Sequence, residues 1–317
     1  GVSYDDQEAF NRLNKVKGRP ENKPYSLMLG NKNDIEKYAY VSEEERICLV
    51  EEKIIPESVA VKADSQSIFF SDKKSLFITT NIENHYSIHC YCSGNHLPDI
   101  WEKISDIDDF LAEKLPVAYH SNFGFLSGNP KYTGTGMKAS VLLHLPCFTL
   151  AGKVKTFSNA LREMDLKVNG FFGDSNDFPG NLYLISNKST MGESEQMQLK
   201  HLESCIEHTI EEEIQTRNEL KSLFPERLAD FCSRAAAILR SSYLITTKEA
   251  MNALSGLRLA EELEYLKPIN GKVNYDTLLL KIQAGQITRS SSDTTTQFER
   301  RIKRSEFLRK LMTKFSD

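Results

Sequence analysis

The sequence predicts an α+β fold: an antiparallel sheet flanked by helices, followed by an all-helical C-terminal part. Three observations predict it. Strand-like runs gather in the first two thirds of the chain in hairpin order, a long amphipathic helix closes that region, and beyond Pro225 nearly every segment has helical spacing. With 317 residues, 40% of them hydrophobic, the chain can bury one large core, or one core and a smaller domain.

Each element follows from its pattern. Residues 1–24 are polar and end in Gly18, Pro20 and Pro24, which reads as a loose arm or one short helix. Ser67–Ser71 and Leu76–Ile82 read as strands joined by the polar loop 72–75, and Tyr86–Cys92 alternates as a third. Pro98–Leu115 has helical spacing through Ile100, Ile104, Ile107 and Leu111. Val141–Leu145 and Leu182–Ile185 read as buried strands, with a helix over Lys155–Asp165. A helix over Ser194–Leu220 carries Leu199, Leu202, Ile206, Ile210 and Ile214 on one stripe. Further helices are expected over 226–240, from the capping box Thr246-x-x-Glu249, over 257–266, over 274–284 with Gly285 as its stop, and over 297–315. The Ser/Thr tract 289–296 reads as a linker.

Composition excludes some partners. A net charge of −4 gives no field that recruits nucleic acid or an acidic membrane. No run approaches the roughly 20 apolar residues that span a bilayer. Six cysteines without framework spacing fit reduced thiols in a cytoplasmic setting. Cys90 and Cys92, near His85 and His96, lack the usual zinc spacing and read as β-pattern, so no metal site is expected.

The run Gly134-Thr135-Gly136-Met137-Lys138-Ala139-Ser140-Val141-Leu142-Leu143-His144-Leu145-Pro146 resembles the guanidino (phosphagen) kinase family, nearest its McsB-type protein arginine kinase branch, which reads G-T-G-M-R-A-S-V-x-L-H-L-P. Asn81–Ser87 stands where the family reads N-E-E-D-H-x-R, Leu126–Pro130 where it reads L-T-x-C-P, and Asn169–Asp174 where it reads R-G-x-x-G-E. Gly180–Asn187 is similar to G-N-x-x-x-I-S-N. Lys248-Glu249-Ala250, Leu254-Ser255 and Leu257-Arg258-Leu259 follow the branch's K-E-A-x-x-x-L-S-x-x-R-L, and Glu299–Ser305 falls on its phosphoarginine-reading E-R-D-x-x-R-A. The resemblance implies a guanidino-kinase catalytic domain over 25–221 and a helical domain over 222–317 of the phosphoarginine-binding and dimerisation type.

Phosphoryl transfer to a guanidinium needs a carboxylate on the acceptor and several arginines on the triphosphate, because their forks match phosphate geometry. The resemblance puts Glu83 at the acceptor-binding glutamate and Asp174 at the second catalytic glutamate. The nucleotide-binding arginines have become Ser87, Lys138 and Asn169, and the active-site cysteine has become Asn129. Each lost charge-assisted hydrogen bond costs about 1.5–3 kcal/mol. One lysine is a point charge and does not replace the forks, although Lys131 offers a second cation nearby. Arg300 and Arg304 lie one turn apart, either as a solvated basic helix end or as a phosphoarginine pocket whose aspartate has become Arg301.

Three functions stay open on these residues. The first is a pseudokinase or very weak kinase acting as a regulatory scaffold. By resemblance it is a homodimer whose partners are a McsA-type activator and the Clp chaperone–protease. The second is an active, divergent protein arginine kinase using ATP with magnesium. The third is a phosphoarginine reader working through the C-terminal helices.

Overall fold

The computed structural model describes residues 47, 48, 50, 51, 67–71, 75–82, 84–172, 177–269, 271–289 and 296–316. The expected N-terminal arm, the hairpin loop and most of the Ser/Thr linker lie outside them. Within 43–317 the chain forms one compact unit.

β1 (Ser67–Phe70), β2 (Leu76–Thr80) and β3 (Tyr86–Cys90) form an antiparallel sheet in that order. Register runs from Phe70 opposite Phe77 and from Leu76 opposite Cys90. Phe77 anchors the inner face, stacked on His89 with ring centroids 4.6 Å apart. α1 (Leu97–Ala112) starts with Pro98 in its first turn, where a missing N–H costs nothing, and packs on β3. Two short strands follow, β4 (Tyr119–His120) and β5 (Gly124–Phe125).

The second sheet has the order β6-β8-β7, from β6 (Ser140–His144), β7 (Leu166–Gly170) and β8 (Leu182–Asn187), all antiparallel neighbours. β8 is central, and Leu182, Tyr183, Ile185 and Ser186 are buried on it. β7 carries Asn169 and Gly170 and has no strand-like pattern of its own; its ladder with β8 makes it a strand. α2 (Pro146–Ala151) and α3 (Val154–Glu163) lie between β6 and β7 in the chain.

α4 (Glu195–Leu223) is N-capped by Ser194, the residue at which the expected helix begins; its side chain accepts from Met197 N–H. Its buried stripe departs from the expected one. Leu199, Leu202 and Ile206 are buried, but Ile210 and Ile214 are exposed. From Thr209 onward Glu213, Thr216 and Leu220 turn inward instead, because Glu213 is needed at the start of α2.

The remaining helices are α5 (Pro225–Ser241), α6 (Thr247–Glu262), α7 (Tyr275–Lys281), α8 (Ala284–Arg289) and α9 (Gln297–Met312). The capping box is present, with Glu249 N–H donating to Thr246 Oγ1 at 3.2 Å. The expected break before residue 257 is corrected: α6 runs on through Gly256. A Cβ there would stand 2.4 Å from Ala235 Cβ, so this glycine lets α5 and α6 approach and does not end a helix. The expected helix 274–284 is also corrected. α7 ends at Lys281, and Gly285 lies in the first turn of α8, donating its N–H to Glu51 Oε1 at 2.7 Å. The expected last helix stops at Met312, and Phe315–Ser316 pairs with Lys267–Pro268.

Two apolar cores result. One joins Leu145, Phe148, Tyr183, Ile185 and Leu202 under the second sheet. The other fills the helical half and takes Cys147, Leu182 and Leu220 from the first. No helix among the described residues is long and apolar enough to cross a membrane.

Candidate active-site region

The two expected catalytic carboxylates, Glu83 and Asp174, lie outside the described residues. Their chain neighbours are described. Ser127 Oγ donates to Asn84 Oδ1 at 3.2 Å, and Asn84 Nδ2 reaches Ser87 Oγ at 3.5 Å. Ser127 Oγ also accepts from Asn129 N–H at 3.3 Å. Asn129 in turn caps the short 3-10 turn Pro130–Tyr132 through Lys131 N–H at 3.1 Å. Where the motifs call for Asp, Arg, Thr and Cys, the chain has linked Asn84, Ser87, Ser127 and Asn129, with no formal charge among them.

Lys138 is exposed on a loop that the backbone fixes closely. Asn187 Oδ1 accepts from Ala139 N–H at 2.9 Å, and its Nδ2 donates to Met137 carbonyl at 3.0 Å, bracketing Lys138 on both sides. Gly134 at φ 114° touches Thr190 backbone so closely that a Cβ would lie 2.2 Å from its carbonyl oxygen. The glycine-rich run therefore shapes a tight loop whatever it binds.

Asn169 sits on β7 opposite Leu184, whose other neighbour is Leu142 on β6. Lys138 lies in the loop before β6 and takes no part in this ladder. Ser87 belongs to the other sheet. Arg300 is partly buried in the first turns of α9. Arg304 is 3% exposed, and its Nε and one terminal nitrogen donate to the carbonyls of Ile282 and Ile245 at 2.7 and 3.0 Å. Burial, with Arg300 nearby, pulls its pKa down to about 10, while Glu51 opposes that shift.

Other motif residues carry a role that motif matching alone does not assign. Asn181 Nδ2 donates to Ser255 Oγ at 2.7 Å, and His144 Nε2 lies 2.7 Å from the same oxygen. Gly180 N–H donates to Asn252 Oδ1 at 2.8 Å, and Lys248 pairs with Asp177 at 2.8 Å. Desolvation, reinforced by the charges of Arg258 and Arg217, pulls His144 down to about 3, so it is neutral at pH 7. Glu213 accepts from Cys147 and Phe148 N–H at 2.8 and 3.0 Å, satisfying the buried start of α2. Burial raises its pKa even so. Arg217 reaches across to Glu262 at 2.9 Å. The visible signal was the apolar setting of His144, Asn181 and Ser255 in their motifs: a polar residue in a buried run needs a partner.

The sheets, the glycine-rich loop and the helical extension define the class as a guanidino-phosphotransferase fold. A family model described as ATP:guanido phosphotransferase, C-terminal catalytic domain, matches residues 22–216. A second, described as protein-arginine kinase McsB C-terminal domain, matches residues 225–317. The chain is 31% identical to a protein-arginine kinase of Clostridium kluyveri, over 91% of this chain and 81% of the relative. It is 32% identical to one of Halothermothrix orenii, over 84% and 76%. Among solved structures, a lombricine kinase shares the fold at TM-score 0.50 and 20% identity, over 57% of this chain and 54% of that one. The chain belongs to the protein-arginine kinase family.

Proposed function

We propose that this chain is a pseudokinase or very weak kinase of its family, acting as a regulatory scaffold in Clp-type protein quality control. In this reading residues 25–221 are a degenerate catalytic domain and 222–317 a helical domain for partners and self-association. The partners are a McsA-type activator, the Clp chaperone–protease and a second copy of the chain, in the cytoplasm. The observation that carries it is the neutral chain Asn84–Ser87–Ser127–Asn129, where the family's motifs read Asp, Arg, Thr and Cys.

The described residues do not fit a magnesium triphosphate. Ser87 and Asn169 supply no charge, and Lys138 is one exposed ammonium where several guanidinium forks are required. Losing three such forks costs about 5–9 kcal/mol if the contributions add. Arg304, committed to two backbone carbonyls, gives a phosphoarginine-reading role little support.

One feature favours active turnover as the alternative. Lys131 and Lys138 flank the same glycine-rich loop, and both are exposed. Calorimetric titration of ATP–magnesium decides between them. We expect no binding heat at millimolar nucleotide. Micromolar binding, with phosphorylation of arginine that Glu83→Gln abolishes, would establish the active kinase.

A further inference from the structure

A cavity of about 640 Å³ opens between α2, α5 and α6, away from every residue assigned above to nucleotide or phosphoarginine. Its apolar wall comes from Leu150, Phe231, Ala235, Ile238 and Ala253. The size and the mostly apolar lining are those of a small-ligand site.

The charged groups on its rim are not equivalent. Asp230 spends both oxygens on Arg234 Nε, at 2.9 and 2.8 Å. Glu249 is turned back to the Thr246 N–H in the capping box, at 3.5 Å. Asp230 is thus neutralised by Arg234, and Glu249 is held by one oxygen at the start of its helix. The rim's donors are less committed. The Arg227 guanidinium has no ion pair among the described residues. Asn252 uses only its oxygen, on Gly180 N–H, which leaves its amide nitrogen as a donor. Lys248 holds Asp177 with one of three ammonium hydrogens and is 59% exposed. The rim therefore offers cationic and neutral donors above an apolar pocket, and a matching ligand has an apolar body and an anionic end.

We propose that this cavity binds an apolar carboxylate: the C-terminal carboxylate of a peptide ending in a large apolar residue, or a free N-acylated apolar amino acid. The apolar side chain lies against Phe231 and Ile238, and Arg227 grips the carboxylate as a fork. The ligand also competes with Asp177 for Lys248. The site does not depend on the reading of the nucleotide region, since no residue of that region lines it.

The test is a calorimetric titration of the full chain with N-acetylphenylalanine, a pentapeptide ending in phenylalanine, the same peptide amidated, and phenyl phosphate. The expected result is saturable binding of the acids, weakened about tenfold by amidation and about tenfold in Arg227→Gln. Arg227 is exposed, so that variant keeps the fold, which an unchanged melting temperature verifies. A second variant, Ile238→Ala, trims the wall without touching the rim; it weakens acid and amide alike and leaves the preference for acid over amide intact. Tighter binding of the peptide than of N-acetylphenylalanine assigns the site to chain ends, and equal binding assigns it to the small acid. Equal affinity for acid and amide, preference for phenyl phosphate, or no binding of any probe at about 10 mM overturns the proposal.

Discussion

Two regions of this molecule have kept their family motifs to different degrees. Around Asn84, Ser87, Ser127 and Asn129, short neutral side chains stand where the motifs read Asp, Arg, Thr and Cys; they hydrogen-bond to one another and sit near the surface. Around His144, Asn181 and Ser255, the motif residues match the family and are joined by contacts of 2.7 Å between the two halves of the chain. A buried polar atom that loses its partner carries the whole desolvation cost, so the second region tolerates little change. A substitution in an exposed loop leaves no buried group unpaired. The conserved-looking motif residues here include residues that weld the sheet half to the helices, and a motif match alone does not establish phosphate chemistry.

The largest expected effect tests the weld by acid. His144 titrates near 3 in the folded protein and near 6.5 when unfolded, so the unfolded chain binds more protons between those values. The contribution of this group is full above pH 6.5 and is lost as pH drops toward 3, at up to about 1.4 kcal/mol per pH unit. Urea midpoints across that range measure it, and His144→Gln should flatten the slope. A slope unchanged by that variant would place the acid sensitivity elsewhere.

Next comes Glu213→Ala, which leaves the Cys147 and Phe148 N–H groups buried without an acceptor. A loss of about 3 kcal/mol is expected by urea unfolding. Ser255→Ala removes the shared oxygen of His144 and Asn181 and should cost about 2 kcal/mol. In a double-mutant cycle, Asn181→Ala combined with Ser255→Ala should cost clearly less than the two separate losses added. Additivity would dissolve the weld into independent contacts.

The smallest effect belongs to the other region. Asn129→Ala removes an exposed cap from a three-residue 3-10 turn and should cost no more than about 1 kcal/mol. A cost matching that of Ser255→Ala would break the contrast between the two regions.

Much of the fold was legible along the chain. The hairpin of β1 and β2, the N-cap of α4 and the capping box of α6 are local signals, written within a few residues of where they act. β7 was not legible, because Leu166–Gly170 is a strand only by pairing with β8. Gly285 looked like a helix stop and is a point of close approach to Glu51, as Gly256 is to Ala235. The apolar stripe of α4 was extrapolated past Ile206, where a distant helix start claims Glu213.

The sequence by itself determined the family, the α+β class and the absence of arginine from positions 87, 138 and 169, since composition and motif order need no coordinates. Only the tertiary structure decided what the retained polar residues do. Asn181 and Ser255 are 74 positions apart, and Arg304 meets carbonyls from two other segments. Whether a buried polar group is a ligand's partner or a structural tie depends on what occupies the space around it, and that is fixed by packing between segments.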